Sequence, residues 1–278
     1  MSYRTISVVV TDKTADSAAL LAAAALSASE DGHLDVYCLG IDATRYEAMP
    51  VGAASVILES GVEEARARAE ELSKWAQSVL DTDGPKITIE PVVSPQMGLD
   101  VTIARLTRFS DLIVASKPYG AGRTPIQVNV LEAELLGTAA PVLVVPHEGC
   151  RSSFDRVAVA WNESSESFNA VRGALPMLQQ AKKVDIVIID PPSHAPERSD
   201  PGGAVSLMLA RHGIKSEVSI LARTLPRVSE VMNRFVTEHA CDLLVMGGYG
   251  HSRFRESILG GATRDMLEYS AAPLLMAH

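Results

Sequence analysis

The 278-residue chain has only three cysteines, Cys38, Cys150 and Cys241, odd in number, scattered, and never spaced C-x-x-C. That argues against a disulfide framework or a zinc site, and buried reduced thiols are expected. Aromatic residues make up 5% of the chain and no basic stripe interleaves with them, so no nucleic-acid partner is expected. No uninterrupted apolar run approaches the roughly 20 residues that a bilayer span needs. The first apolar stretch is broken by Thr11-Asp-Lys-Thr-Ala-Asp16 before it reaches signal-peptide form. The expectation is a cytoplasmic protein with no membrane partner. Chemical signatures are also missing. There is no G-x-x-x-x-G-K-[ST], no G-x-G-x-x-G after the first strand of either half, no G-x-S-x-G elbow, and no Ser/His/Asp or Cys/His set. His194, His212 and His239 stand without partners at metal-ligand spacing and are expected to be structural or exposed.

What is present is a duplication. Asp111-Leu-Ile-Val-Ala-Ser-Lys-Pro-Tyr-Gly120 matches Asp242-Leu-Leu-Val-Met-Gly-Gly-Tyr-Gly250, and Ala139-Ala-Pro-Val-Leu-Val-Val145 matches Ala271-Ala-Pro-Leu-Leu-Met-Ala277. Ile6-Ser-Val-Val-Val-Thr-Asp12 has its counterpart in Val157-Ala-Val-Ala-Trp-Asn162. Three matched segments in the same order imply two copies of one unit, residues 1–148 and 152–278, with Gly149–Ser153 as the linker region. The copies differ in charge. Residues 1–150 carry 11 basic against 20 acidic side chains, and residues 151–278 carry 14 of each. An anionic small ligand is therefore expected in the second half.

Within each half, short apolar runs alternate with amphipathic stretches. Strands are expected at Ile6–Val10, Leu34–Leu39, Ile87–Val93, Leu112–Ala115 and Val142–Val145, then at Val157–Trp161, Val184–Ile189, Val218–Leu221, Leu243–Met246 and Leu274–Met276. Helices fit between them, at Asp16–Ser29, along the apolar face Val62 to Val79, at Leu99–Phe109 and at Ile126–Leu136. The alternation predicts an α/β fold of two similar doubly wound, five-stranded parallel-sheet domains. Each fifth strand should fall at a sheet edge, and the two edges are expected to cover each other as an internal pseudo-dimer. Ser164-Ser-Glu-Ser167 reads as helix capping rather than a nucleophile cluster.

The most informative stretch runs from Leu243 to Thr263: an apolar strand, a glycine-rich loop carrying His251, Arg253 and Arg255, and a glycine pair, Gly260-Gly261, where a helix should begin. Glycines and a helix N-terminus together suit a phosphate. The alternative is that Gly247 and Gly248 only turn the chain and Gly260-Gly261 only permits tight packing. In a parallel sheet a ligand lies outside the carboxyl ends of the strands, which would bring Asn162, Asp190 and Gly247 to one crevice.

Gly247-x2-Gly250-x9-Gly260, with the repeated five-strand units and the Ala-Pro-apolar ending of each half, resembles a tandem universal stress protein. ATP-binding members of that family carry G-x2-G-x9-G-[ST]. The resemblance implies an adenine nucleotide alpha hydrolase-like fold with strand order 3-2-1-4-5. It also implies phosphates at the loop glycines, and adenosine against the ends of the first two strands, at Asn162 and Ile189. The implied site is Asn162, Ile189, Gly247, Gly250, His251, Arg253, Gly260, Gly261 and Thr263. Two positions depart from the family: Gly261 stands where Ser or Thr would touch a phosphate, with Thr263 as a substitute, and Asn162 replaces an acidic residue after Trp161. The first half keeps Asp12 but lacks the glycine spacing, and Pro118 and Pro125 remove two N–H donors. The expectation is a stress-response protein binding an adenine nucleotide, ATP with or without magnesium, in its second half only. Hydrolysis would be slow at most, and further homo-oligomerisation is compatible with the pattern. The alternatives are a relative that binds no nucleotide and works through protein contacts, and a transferase or hydrolase on the same architecture.

Overall fold

A computed structural model describes residues 2–44, 54–80, 86–191, 200–249 and 261–278. The first half runs β1 (Thr5–Val10), α1 (Ser17–Ser29), β2 (His33–Asp42), α2 (Ala54–Val79), β3 (Lys86–Pro95), α3 (Leu99–Thr107), β4 (Leu112–Ser116), α4 (Pro125–Gly137) and β5 (Val142–Val145). The second runs β6 (Arg156–Ala160), α5 (Ser165–Gly173), α6 (Leu175–Gln180), β7 (Lys183–Ile189), α7 (Gly203–Arg211), β8 (Ser216–Leu221), α8 (Val228–Glu238), β9 (Leu243–Gly247), α9 (Gly261–Tyr269) and β10 (Leu274–Ala277). Central strands are apolar because both of their faces are covered: β4, β5, β9 and β10 are buried almost throughout. Helix starts follow local chemistry. Thr124 and Gln127 form a capping box ahead of Pro125 at α4, and Ser164 accepts the Ser167 amide at α5, the capping role expected of that serine cluster.

Each half has the strand order 3-2-1-4-5, all parallel, but the two sheets are not separate. The order β3-β2-β1-β4-β5-β10-β9-β6-β7-β8 is one ten-stranded sheet. The fifth strands, each the edge of its own half's sheet, cover each other as expected and so form its centre: β5 and β10 pair antiparallel, Leu275 opposite Leu143 and Met276 opposite Val142. The pairing removes two apolar edges at once. The remaining edges are β3 and β8, whose residues are mostly exposed or half-buried. Pro91 sits in β3, where a missing N–H is tolerated.

Both core layers cross the junction. One contains Ile6, Leu34 and Leu143 from the first half with Val157, Ile186 and Leu275 from the second, and the other packs Leu131 and Val142 against Met266 and Leu274. Tyr3 Oη donates to the Gly173 carbonyl at 2.7 Å across the same boundary. No helix among the described residues is long and apolar enough to cross a membrane.

Candidate functional site

The strand order turns back between β6 and β9, with β7 on the far side of β6. These three strands are parallel, so their carboxyl ends open on one crevice, the place where such sheets hold ligands. Asn162 follows β6, Ile189 ends β7, Gly247 ends β9, and Gly261 and Thr263 open α9. Five of the nine expected site residues, Asn162, Ile189, Gly247, Gly261 and Thr263, are therefore placed around this end of the sheet. Gly250, His251, Arg253 and Gly260 lie outside the described residues.

The backbone around this crevice is unusual. Among the described residues five non-glycine residues have left-handed backbones, and three of them are Glu163 (φ 62°), Asp190 (φ 45°) and Tyr249 (φ 63°), which follow β6, β7 and β9. Such conformations cost roughly 1 kcal/mol or more each. Among the described residues the corresponding turns of the first half have no non-glycine residue in this state. Local polar contacts hold the turns. Asn162 Oδ1 accepts the Ser164 amide at 3.2 Å, leaving its NH2 group as the donor a ligand would meet, and Asp190 Oδ1 accepts the Arg223 amide at 3.1 Å.

The glycines divide by role. A Cβ on Gly247 would sit 2.5 Å from the Ser167 backbone nitrogen and 2.7 Å from the Glu166 carbonyl carbon, so this glycine is required by the close approach of α5. A Cβ on Gly261 meets nothing within 4 Å. The hydroxyl that the family pattern carries there would fit. Thr263, the expected substitute, is buried and accepts the Tyr249 amide at 3.4 Å, which ties α9 to the strand end and leaves its hydroxyl proton free to donate elsewhere.

The matching crevice of the first half is filled by its own side chains. Asp12 accepts the amides of Thr14 and Ala15 and pairs with Arg68 at 3.2 Å. Asp16 accepts from the Thr11 amide, the Thr11 hydroxyl and the Asp12 amide. Arg123, from the loop equivalent to the glycine loop, folds onto this turn: it donates to the Ala15 carbonyl and His147 Nδ1 and lies 3.7 Å from Asp16 Oδ1, both side chains about 5% exposed or less. Sequence reading missed this cluster. Beside it lies Glu134, a carboxylate flanked by Ala133 and Leu135 on the buried side of α4, whose flanking residues were the signal in the sequence.

The thiols are inert. Burial pushes Cys38 up to about 12 and Cys150 and Cys241 to about 11, far from thiolate at neutral pH. His239 stacks on Phe235 with ring centroids 3.9 Å apart, a packing role. Among the described residues no group of three or more His, Cys, Asp or Glu is arranged to hold a metal.

The model of the Universal stress protein family matches residues 153–278. Universal stress protein Slr1230 of Synechocystis sp. is 34% identical over 73 residues, 26% of this chain and 24% of that protein, so the match spans about a quarter of the relative's length. The solved structure of a universal stress protein from Archaeoglobus fulgidus shares the fold with a TM-score of 0.67 at 16% identity, over 97% of this chain and 94% of that one. A Pseudomonas aeruginosa structure assigned to the same proteins gives 0.57 at 14% identity, over 98% and 92%. Residues 153–278 thus match the universal stress protein family, and the whole chain shares the fold of solved universal stress proteins.

Proposed function

We propose that the chain is a nucleotide-responsive regulatory protein that binds one adenine nucleotide, ATP in the first instance, in the crevice of its second half. The observation that carries this reading is the set of left-handed backbones at Glu163, Asp190 and Tyr249, one after each strand that opens on the crevice. Strain of this kind persists where a site over-determines the backbone. The residues present suit the ligand: Asn162 offers an amide to a ribose or adenine edge, Ile189 an apolar wall, and the start of α9 free backbone donors for phosphate. The loop Gly250–Gly260, with His251 and Arg253, supplies the remaining contacts in this proposal. Magnesium, if it accompanies the nucleotide, is held by phosphate oxygens rather than by a protein cage. The first-half crevice, occupied by Arg123 and Asp16, takes no nucleotide. Residues 1–148 and 152–278 act as two domains of one cytoplasmic pseudo-dimer.

Isothermal calorimetry with ATP tests this. One site per chain is expected; two equivalent sites, or no heat at millimolar ATP, overturn it. A second reading, contact with a partner protein and no nucleotide, is favoured by one feature. Met97, Val101 and Phe109, on and flanking α3, are 74%, 68% and 80% exposed, more apolar surface on one short helix than solvation needs.

A further inference from the structure

The first half encloses a void of about 10 Å³ walled by Val9, Thr11, Asp16, Ser116, Gln127 and Glu134, among others. Its polar wall falls into two groups. Thr11, Gln127 and Asp16 are mutually committed: Gln127 Nε2 donates to Thr11 Oγ1, which donates in turn to Asp16 Oδ2, while Gln127 Oε1 accepts from Thr124. Both carboxylate oxygens of Glu134 and the Ser116 hydroxyl are the other group. They are buried and have no hydrogen-bond partner among the described residues. Buried oxygens in this state are rare and costly, and three of them on one small void call for a common partner.

Charge narrows the partner. Asp16 and Glu134 are buried carboxylates, and Arg123 is the one buried cation beside them among the described residues, already set against Asp16. One negative charge is left over. A proton on Glu134 would neutralise it but would satisfy one oxygen while creating a donor, leaving Glu134's other oxygen and Ser116 as they were. A divalent ion would leave an excess positive charge. The void holds one water-sized sphere, too small for an ion with its hydration shell. Hard oxygen ligands select alkali and alkaline-earth ions over softer metals.

We propose that this cavity is a binding site for one dehydrated, sodium-sized monovalent cation, held by Glu134 and Ser116 with Asp16 at its margin. The ion stands at the carboxyl end of β4, in the half that the nucleotide reading leaves without a nucleotide.

The test is thermal unfolding of the full chain at pH 8 in sodium chloride against choline chloride at equal ionic strength. A sodium-specific rise in Tm of about 3 °C is expected at ion concentrations roughly ten times the dissociation constant, absent in Glu134→Gln. Ser116→Ala, which keeps the charge and trims one ligand, should need several-fold more sodium for the same rise. Equal Tm in the two salts at pH 8, or a sodium effect that survives in Glu134→Gln, overturns the proposal. The first outcome assigns the void to a water and a protonated carboxyl.

Discussion

Gly261→Ser is the sharpest probe of the nucleotide reading, because space for the new side chain is already there. The added Cβ meets no atom of the described residues within 4 Å, and Gly261 is the first residue of α9. Without ligand the change should stabilise the protein slightly, by about 0.3–0.5 kcal/mol, the gap between glycine and serine in helix propensity. With ATP it adds one hydroxyl donor to a charged oxygen. Hydrogen bonds to charged groups contribute about 1.5–3 kcal/mol, and the lower end applies at a crevice open to water. That corresponds to about a tenfold tighter dissociation constant. Calorimetry reads it directly, with adenosine as the control, since adenosine has no phosphate for the serine to reach. ATP binding tightened about tenfold with adenosine unchanged supports phosphates at the start of α9. Equal gains for both ligands mean the serine only orders the loop, and no gain for ATP places the phosphates elsewhere.

Gly247→Ala should destabilise the protein by about 2 kcal/mol, the usual cost of overpacking, because its methyl meets the α5 backbone; chemical denaturation measures this, and a neutral result removes the packing role assigned to Gly247. Gly250→Val should abolish the ATP-induced rise in Tm, a stabilisation of about 2.7 kcal/mol at one hundred times the dissociation constant; retention of the full rise moves the phosphates away from this loop. In choline chloride the folded chain keeps the Glu134 proton to higher pH than the unfolded chain, so stability should be full below the ordinary carboxylate range and fall as pH rises toward the raised folded value. Glu134→Gln should flatten that slope in a denaturation series from pH 5 to 8, and an unchanged slope assigns it to another group. Residues 1–148 and 152–278 expressed separately should bind each other, since each exposes an apolar strand, β5 or β10; two soluble monomers without mutual affinity, by analytical ultracentrifugation, contradict this.

Most strands were legible in the sequence because they are short β-branched runs bounded by polar residues, and because the repeat reads the same pattern twice; their order came with the family resemblance alone. Boundaries moved where burial does not decide them: β3 extends to Pro95 as an exposed edge, beyond the apolar run Ile87–Val93. The crevice was legible as a place, since Asn162 and Gly247 sit at the ends of adjacent parallel strands. Its strain was not, because nothing in the residue types of Glu163, Asp190 and Tyr249 marks a left-handed backbone. Nor was the Arg123–Asp16–Glu134 cluster, which brings residues 107 and 118 positions away in the chain to Asp16 through tertiary contacts alone. Gly247 and Gly261 look alike in sequence and differ only in what stands beside them, a helix backbone for one and open space for the other.

The antiparallel pairing of β5 with β10 has a consequence for how the two halves can change. When identical chains associate about a twofold axis, each substitution appears in both partners, so a residue that closes one pocket closes its twin as well. Here the partners share a peptide chain. Their association does not weaken on dilution, and each may drift without altering the other. In this chain one crevice is filled by Arg123 while the other is lined by strained turns, an asymmetry that two identical chains could not hold.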